Sequence, residues 1–233
     1  MIAATAGTAG LVANRFAPLA ELTADLYTDT GQHREFALAD GTTVLLDARS
    51  AVDTPAPGLL RLRAGALIAS QPGARGEGLQ IQTPHGRIVC GPAQAHCRLK
   101  KDATEVVGLD HTLRVQPQAG AATALRAGEG LRLTAAGTQR LPGHASDRAA
   151  WRDGMLAAED WPLGDVVEAL RAYYPGLIRV SEAAAAVRVF GIFRLDVEEA
   201  LQTLAYTRPV QVHRLGRWLV TIDIDTARAA AAG

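Results

Sequence analysis

The chain has 233 residues with 24 basic and 24 acidic side chains, so its formal net charge is zero. That balance argues against a general nucleic-acid binder, which normally carries a basic excess or stripe. Aromatic residues make up only 5%, too few for extended base- or sugar-stacking platforms, and the length suits one large domain or two small ones.

The first segment, 1–22, opens on small apolar residues, AATAGTAGLVA at 3–13. That eleven-residue apolar stretch is shorter than the roughly 20 residues that cross a bilayer, and the segment lacks the combined charged start and cleavage motif of a secretory leader. Two readings stay open on these residues alone, a disordered Ala/Gly tail and the outer end of a membrane helix.

Residues 23–133 read as an all-β domain. EFALADGTTVLLD places Asp40-Gly41 between two alternating apolar runs, Phe36/Leu38 and Val44/Leu46, which is a strong short-range hairpin signal. Looser versions turn at Ala64-Gly65, His85-Gly86 and Gly128. About a dozen short strands result, arranged as a sandwich or as a solenoid of stacked turns. Cys90 and Cys97 lie in CGPAQAHC, a spacing that matches no zinc pattern. In a reducing compartment they are free thiols. In an oxidising one, Gly91-Pro92 can turn the chain so that they form a disulfide.

Residues 134–150, TAAGTQRLPGHASDRAA, are small and polar and read as a linker. From Trp151 the texture changes. DVVEAL at 165–170 and DVEEAL at 196–201 are nearly the same half-helix written twice. In the first copy Leu163, Val166, Val167, Leu170 and Tyr174 make one apolar stripe, with Glu159, Asp160 and Pro162 at the start and Pro175-Gly176 as the stop. In the second, Asp196 and Glu199 have the spacing of a capping box, and Val197, Ala200, Leu201 and Leu204 form the stripe. Each helix lies between strands, Met155–Ala157 and LIRV for the first, Val187–Phe193 and VQVH for the second. RWLVTID pairs back across Leu215-Gly216. The region 151–225 is therefore expected to be a β-α-β unit repeated, one small sheet with both helices over it, and 226–233 a frayed tail. The fold class is mainly β plus α/β.

Chemistry is hard to find in this chain. The six histidines form no i, i+4 metal pair, and no nucleophile elbow or phosphate-cradling loop is present. The expectation is a binding protein with no catalytic residue, no metal and no cofactor. A one-sheet domain leaves a sheet face and edges for another chain, and the candidate surface is the last hairpin, through Val210, Val212, Trp218 and Val220, with Trp218 as anchor. The competing reading is that these four face the helices.

The order of motifs resembles the FecR-type anti-sigma regulators. YTDTGQHREFALADGTTVLLDARSAV is similar to the opening of their periplasmic β-domain, and ALRAGEGLRL to its late L-x-A-G-E. LLRLRAGALIAS resembles the next strand pair, with Ala66 where the family usually has an acid. WRDGMLAAEDWPLGDVVEALRAYYPGLIRV and VFGIFRLDVEEALQTLA resemble the regulators' C-terminal domain, a short signalling fold shared with secretins and TonB-dependent transducers. The resemblance implies the periplasmic region of a single-pass inner-membrane protein, with residues 1–22 as the stub of the membrane helix. It implies two partners. One is the N-terminal signalling domain of a TonB-dependent outer-membrane transducer for iron-siderophore uptake. The other is an extracytoplasmic-function sigma factor, bound by a cytoplasmic segment that this chain lacks. Two alternatives are a secretin-like or envelope-assembly structural module, which would be expected to carry neighbouring repeats of the small fold, and a carbohydrate-processing β-solenoid enzyme, which would need clustered carboxylates on successive turns.

Overall fold

A computed structural model describes residues 23–74, 78–216 and 218–231. The apolar start, and with it the expected membrane stub, lies outside the described residues. Among the described ones no helix is long and apolar enough to cross a membrane.

Fourteen strands come first. They are β1 (Leu26–Tyr27), β2 (Arg34–Ala37), β3 (Thr43–Leu46), β4 (Ala51–Ala56), β5 (Leu59–Ala64), β6 (Ala66–Ser70) and β7 (Leu79–Thr83). The chain continues through β8 (Gly86–Gly91), β9 (Ala95–Leu99), β10 (Thr104–Gly108), β11 (Leu113–Pro117), β12 (Thr123–Leu125), β13 (Gly130–Thr134) and β14 (Gly137–Arg140). They form two seven-stranded sheets, ordered β1-β4-β5-β7-β8-β11-β12 and β14-β13-β10-β9-β6-β3-β2. Strands join the two sheets alternately along the chain, mostly as hairpins. The result is a sandwich assembled by stacking, which is why turn spacing alone could not separate the two expected architectures.

The hairpin at Asp40-Gly41 forms because Gly41 takes φ +82°, a region open to glycine without steric cost, and Asp40 Oδ1 accepts from Thr42 N at 2.9 Å. Strand alternation then fills the sandwich. In β11, Leu113 and Val115 are buried while Arg114 and Gln116 face out. Leu46, Leu62, Leu67, Leu79, Ile81, Ile88, Leu125 and Leu133 pack in one core with Cys90 and Cys97.

The central strands of the second sheet, β6, β9 and β10, break the alternation. All five residues of β10 are buried. Val106 points into the core, whereas Val107 packs outward under Leu141 and Ala145. The cover is a 3-10 helix over Ala145–Asp153. Residues 134–150 are therefore not an open linker. Residues 137–140 are β14, paired to β13, and Leu141, Ala145, Ala149 and Trp151 bury themselves on the outer face of the second sheet. Small residues let the segment lie close against the strands.

The C-terminal domain runs β15 (Met155–Pro162), α1 (Leu163–Arg171), β16 (Leu177–Val180), α2 (Glu182–Ala185), β17 (Arg188–Arg194), α3 (Val197–Thr207), β18 (Val210–Leu215), β19 (Leu219–Ile224) and α4 (Thr226–Ala231). The two helical stripes are buried as their periodicity requires. Asp196 Oδ1 caps α3 by accepting from Glu199 N at 3.0 Å. Asp165 is the acid in the first turn of α1. Glu159 and Asp160 instead lie in β15, where Glu159 meets His144 and Asp160 meets Arg188.

The strands make two sheets rather than the expected one, β15-β17 and β16-β19-β18. The first strands of the two copies pair with each other, and the second strands flank the extra strand β19, β16 in parallel and β18 antiparallel. The paired sheets and the helices share a single core built from Leu163, Val167, Leu170, Ile178, Phe193, Leu204, Val210 and Ile222. The expected tail is also structured over 226–231. Arg228 donates to the carbonyls of Ala205 and Tyr206 at 2.7 and 2.8 Å, which ties α4 to the end of α3.

Candidate functional site at the domain junction

The outward positions of the second sheet's central strands are the floor of the junction. Period 2 puts Cys97 inside and His96 and Arg98 outside, and Asp47 follows Leu46 to the outside in the same way. Asp47 and Glu105 are each only 1% exposed although both are acids. Burial at such positions needs partners, since an unpaired buried charge is costly.

Asp47 has them. Arg98 Nη2 sits 2.6 Å from Asp47 Oδ2, and Ala48 N donates to Oδ1 at 2.8 Å. The Tyr173 hydroxyl, from the segment after α1, also donates to Asp47 Oδ1 across the junction. Burial, reinforced by the Asp47 charge, pushes the Tyr173 phenol well above its usual range, so it stays a donor.

Glu105 is the centre of a second cluster. Arg132 Nη2 lies 2.7 Å from Oε1, Arg148 Nη1 lies 3.0 Å from Oε2, and Lys100 Nζ is 3.5 Å from Oε1. Burial alone would raise this carboxyl, but Arg148, Lys100 and Arg132 together outweigh it and hold it at about 2. Lys100 reaches across to the C-terminal domain, 3.2 Å from Asp165 and 3.9 Å from Glu168 on α1. Arg148 also stacks over the Trp161 ring at 4.7 Å.

Between these clusters the domains enclose a cavity of about 160 Å³, lined among others by Asp47, Arg98, Glu105, Trp151, Trp161 and Tyr173. Two buried groups near it lack hydrogen-bond partners, Trp151 Nε1 and both ring nitrogens of His96. The His96 and Trp151 rings are 6.1 Å apart. Burial, with the Arg98 charge adding to it, drops His96 to about 3, so it is neutral when folded.

One cluster has the chemistry of a metal set. His144, Asp147 and Glu159 bring a ligand atom each within 4.8 Å of one another. Glu159 Oε2 already accepts from His144 N at 2.9 Å and lies 3.0 Å from its Nδ1, so hydrogen bonding accounts for the arrangement.

The sequence-selected residues are dispersed. Cys90 on β8 and Cys97 on β9 sit in opposite sheets, as buried free thiols in place of the bridge considered for an oxidising compartment. Burial pushes Cys90 up to about 12 and holds Cys97 well above the usual thiol range. In the last hairpin, Val210 and Val220 are buried in the domain core and Val212 packs partly against it, so these face the helices. Trp218, at 54% exposure, faces out. The junction residues Asp47, Arg98, Glu105 and Arg148 were not selected from the sequence. The available signal was a charged residue at a strand position whose neighbours are all apolar, as in TEVV, which reads as a solvated face until something is known to cover it.

Two known groups share features of this chain. The sequence model of the family described as FecR protein matches residues 24–110. The sandwich is FecR-like. Two crystal structures of a protein from Parabacteroides distasonis ATCC 8503, provisionally described as an anti-sigma factor, share the fold with TM-scores of 0.74 and 0.73. Their identities to this chain are 17% and 16%, over 84% and 85% of it and 97% of each of theirs. That coverage is more than either domain alone supplies, so the pairing of a FecR-like sandwich with this C-terminal domain recurs in a crystal. No curated protein matches the chain.

Proposed function

We propose that this chain is the signal-receiving region of a FecR-type transmembrane anti-sigma regulator, working in the periplasm. In this reading the C-terminal domain binds the N-terminal signalling domain of a TonB-dependent outer-membrane transducer. The signal passes to an extracytoplasmic-function sigma factor through a cytoplasmic segment, and the regulated genes serve iron-siderophore uptake. The observation that carries the reading is the FecR match over residues 24–110 joined to a small α/β domain with apolar side chains on its surface.

The partner is proposed to bind on that surface. Trp218 at the tip of the β18–β19 hairpin and Leu215 beside it are exposed, and β18 is an edge strand of its sheet. An edge strand with an aromatic anchor suits a partner that adds a strand. Val212 contributes its half-buried side, while Val210 and Val220 hold the hairpin to the core.

The test is calorimetric titration of this chain with a panel of transducer N-terminal signalling domains. One member binding, with a Kd weakened at least tenfold by Trp218→Ala in a chain of unchanged circular dichroism, supports the reading. A panel in which none binds removes the transducer from it, and unchanged affinity in the variant removes this hairpin.

A further inference from the structure

We infer that the junction is a working joint: the C-terminal domain, 155–231, swings off the FecR-like sandwich about Gly154, and the 3-10 helix stays on the sandwich. The inference stands on the contacts alone, whether or not the transducer reading holds.

The two domains have separate cores. No residue of the sandwich core belongs to the C-terminal core. What crosses between the domains is mostly polar: Tyr173 to Asp47, Lys100 to Asp165 and Glu168, Gly31 N to Ala172 O at 3.0 Å, Arg148 over Trp161, and His144 to Glu159. The apolar part is small, with Leu195 partly buried against Ile68, Ala149 and Trp151. A cavity lies in the middle of the contact, where an obligate interface would be packed.

The pairing of charges distinguishes a joint from a poorly packed core. Parting the domains strands no buried charge. Asp47 loses Tyr173 but keeps Arg98, and Glu105 keeps Arg132, Arg148 and Lys100, all from the sandwich side. At Asp47, Lys100 and Arg148 the cross-domain contact is a further partner added to a pair that is complete without it. Removing such a partner avoids the large penalty of orphaning a buried ion.

The pivot follows from the backbone. The 3-10 helix is bound to the sandwich through Arg148–Glu105 and the buried Leu141, Ala145 and Trp151. Its last residue is followed by Gly154 at φ +71°, a left-handed position where a Cβ would meet nothing within 4 Å. Beyond it β15 starts the other body. A single glycine with open space around it can absorb a change of direction between the two.

The experiment reads the distance between the bodies in the full chain. Spin labels go on Thr138→Cys and Gln202→Cys, two exposed positions on opposite sides of the junction, while the native thiols are buried. Distances are measured as salt rises from about 0.1 M to about 1 M, which screens partly exposed ion pairs, and in a Tyr173→Phe/Lys100→Met background. The joint predicts a second, longer distance that grows with salt and grows further in the double variant, with circular dichroism unchanged. A single distance that neither salt nor the substitutions move overturns it. So does a double variant that unfolds while the unsubstituted chain shows no second distance at high salt.

Discussion

Five of the six large apolar side chains left exposed among the described residues, Phe190, Ile192, Tyr206, Leu215 and Trp218, belong to the C-terminal domain, and the sixth, Tyr27, to the sandwich. The sandwich has two sheets that cover each other, plus a 3-10 helix over part of its outer face. The C-terminal domain spends its helices on a core shared with two narrow sheets, and β17 is left with Phe190 and Ile192 outward, Ile192 at 70% exposure. Scattered apolar residues on a surface are ordinary, but this uneven division is not what two equally finished domains would show. One domain covers its apolar faces, and the other leaves apolar side chains out where the proposed partner would meet them.

The largest effect should come from the closed side. Glu105→Gln leaves Arg148, itself buried, without its carboxylate, and loss of one partner in such a cluster costs about 3–5 kcal/mol. Urea denaturation should show that loss in the sandwich transition. A cost under about 1 kcal/mol would mean the cluster is solvated, and the sandwich is then not closed where it is described as closed.

Acid should weaken the same region. His96 is held at about 3 when folded against 6.5 unfolded, because burial disfavours its charged form. The unfolded chain therefore binds the extra proton, and stability falls as pH drops below 6.5. Between pH 7 and pH 5 the loss is about 2 kcal/mol. Glu105, held at about 2 against 4.5, adds its own loss only below pH 4.5. His96→Leu should flatten the upper part of the profile. An unchanged slope in the variant would place the pH response elsewhere.

The two thiols sharpen the comparison without large energies. Buried in the sandwich with raised pKa values, Cys90 and Cys97 should resist alkylation in the native chain and both react in denaturant without reductant. No reaction in denaturant would show the bridge that a periplasmic chain was expected to form, worth about 2 kcal/mol for so short a loop.

The smallest effect on stability should come from the open side. Trp218→Ala removes an exposed side chain, so its cost should stay within about 0.5 kcal/mol by thermal denaturation. A cost of several kcal/mol would return Trp218 to the core and even out the two domains.

Local features were legible in the sequence wherever local physics decides them. The Asp40-Gly41 turn, the stripes of α1 and α3 and the Asp196 cap all depend on residues within one turn of each other. The pairing of strands is different. β16 finds β19 about 40 residues away, and β15 finds β17, so a repeated β-α-β pattern did not reveal that its strands divide between two sheets. The candidate site was the least legible part. Asp47 and Tyr173 meet across 126 positions, and a strand reading TEVVG gives no sign that a helix some 40 residues later will cover its glutamate. The small, polar 134–150 looks like a linker by composition, yet Leu141, Ala145 and Ala149 are spaced to lie on the sheet.

Hydrogen exchange on the full chain, with and without a transducer N-terminal signalling domain that binds it, tests the division between closed and receiving domains most directly. The account predicts new protection along β18, β19 and the Trp218 tip, with the first sheet of the sandwich unchanged. Protection that appears on the sandwich strands and leaves 210–224 untouched would contradict it.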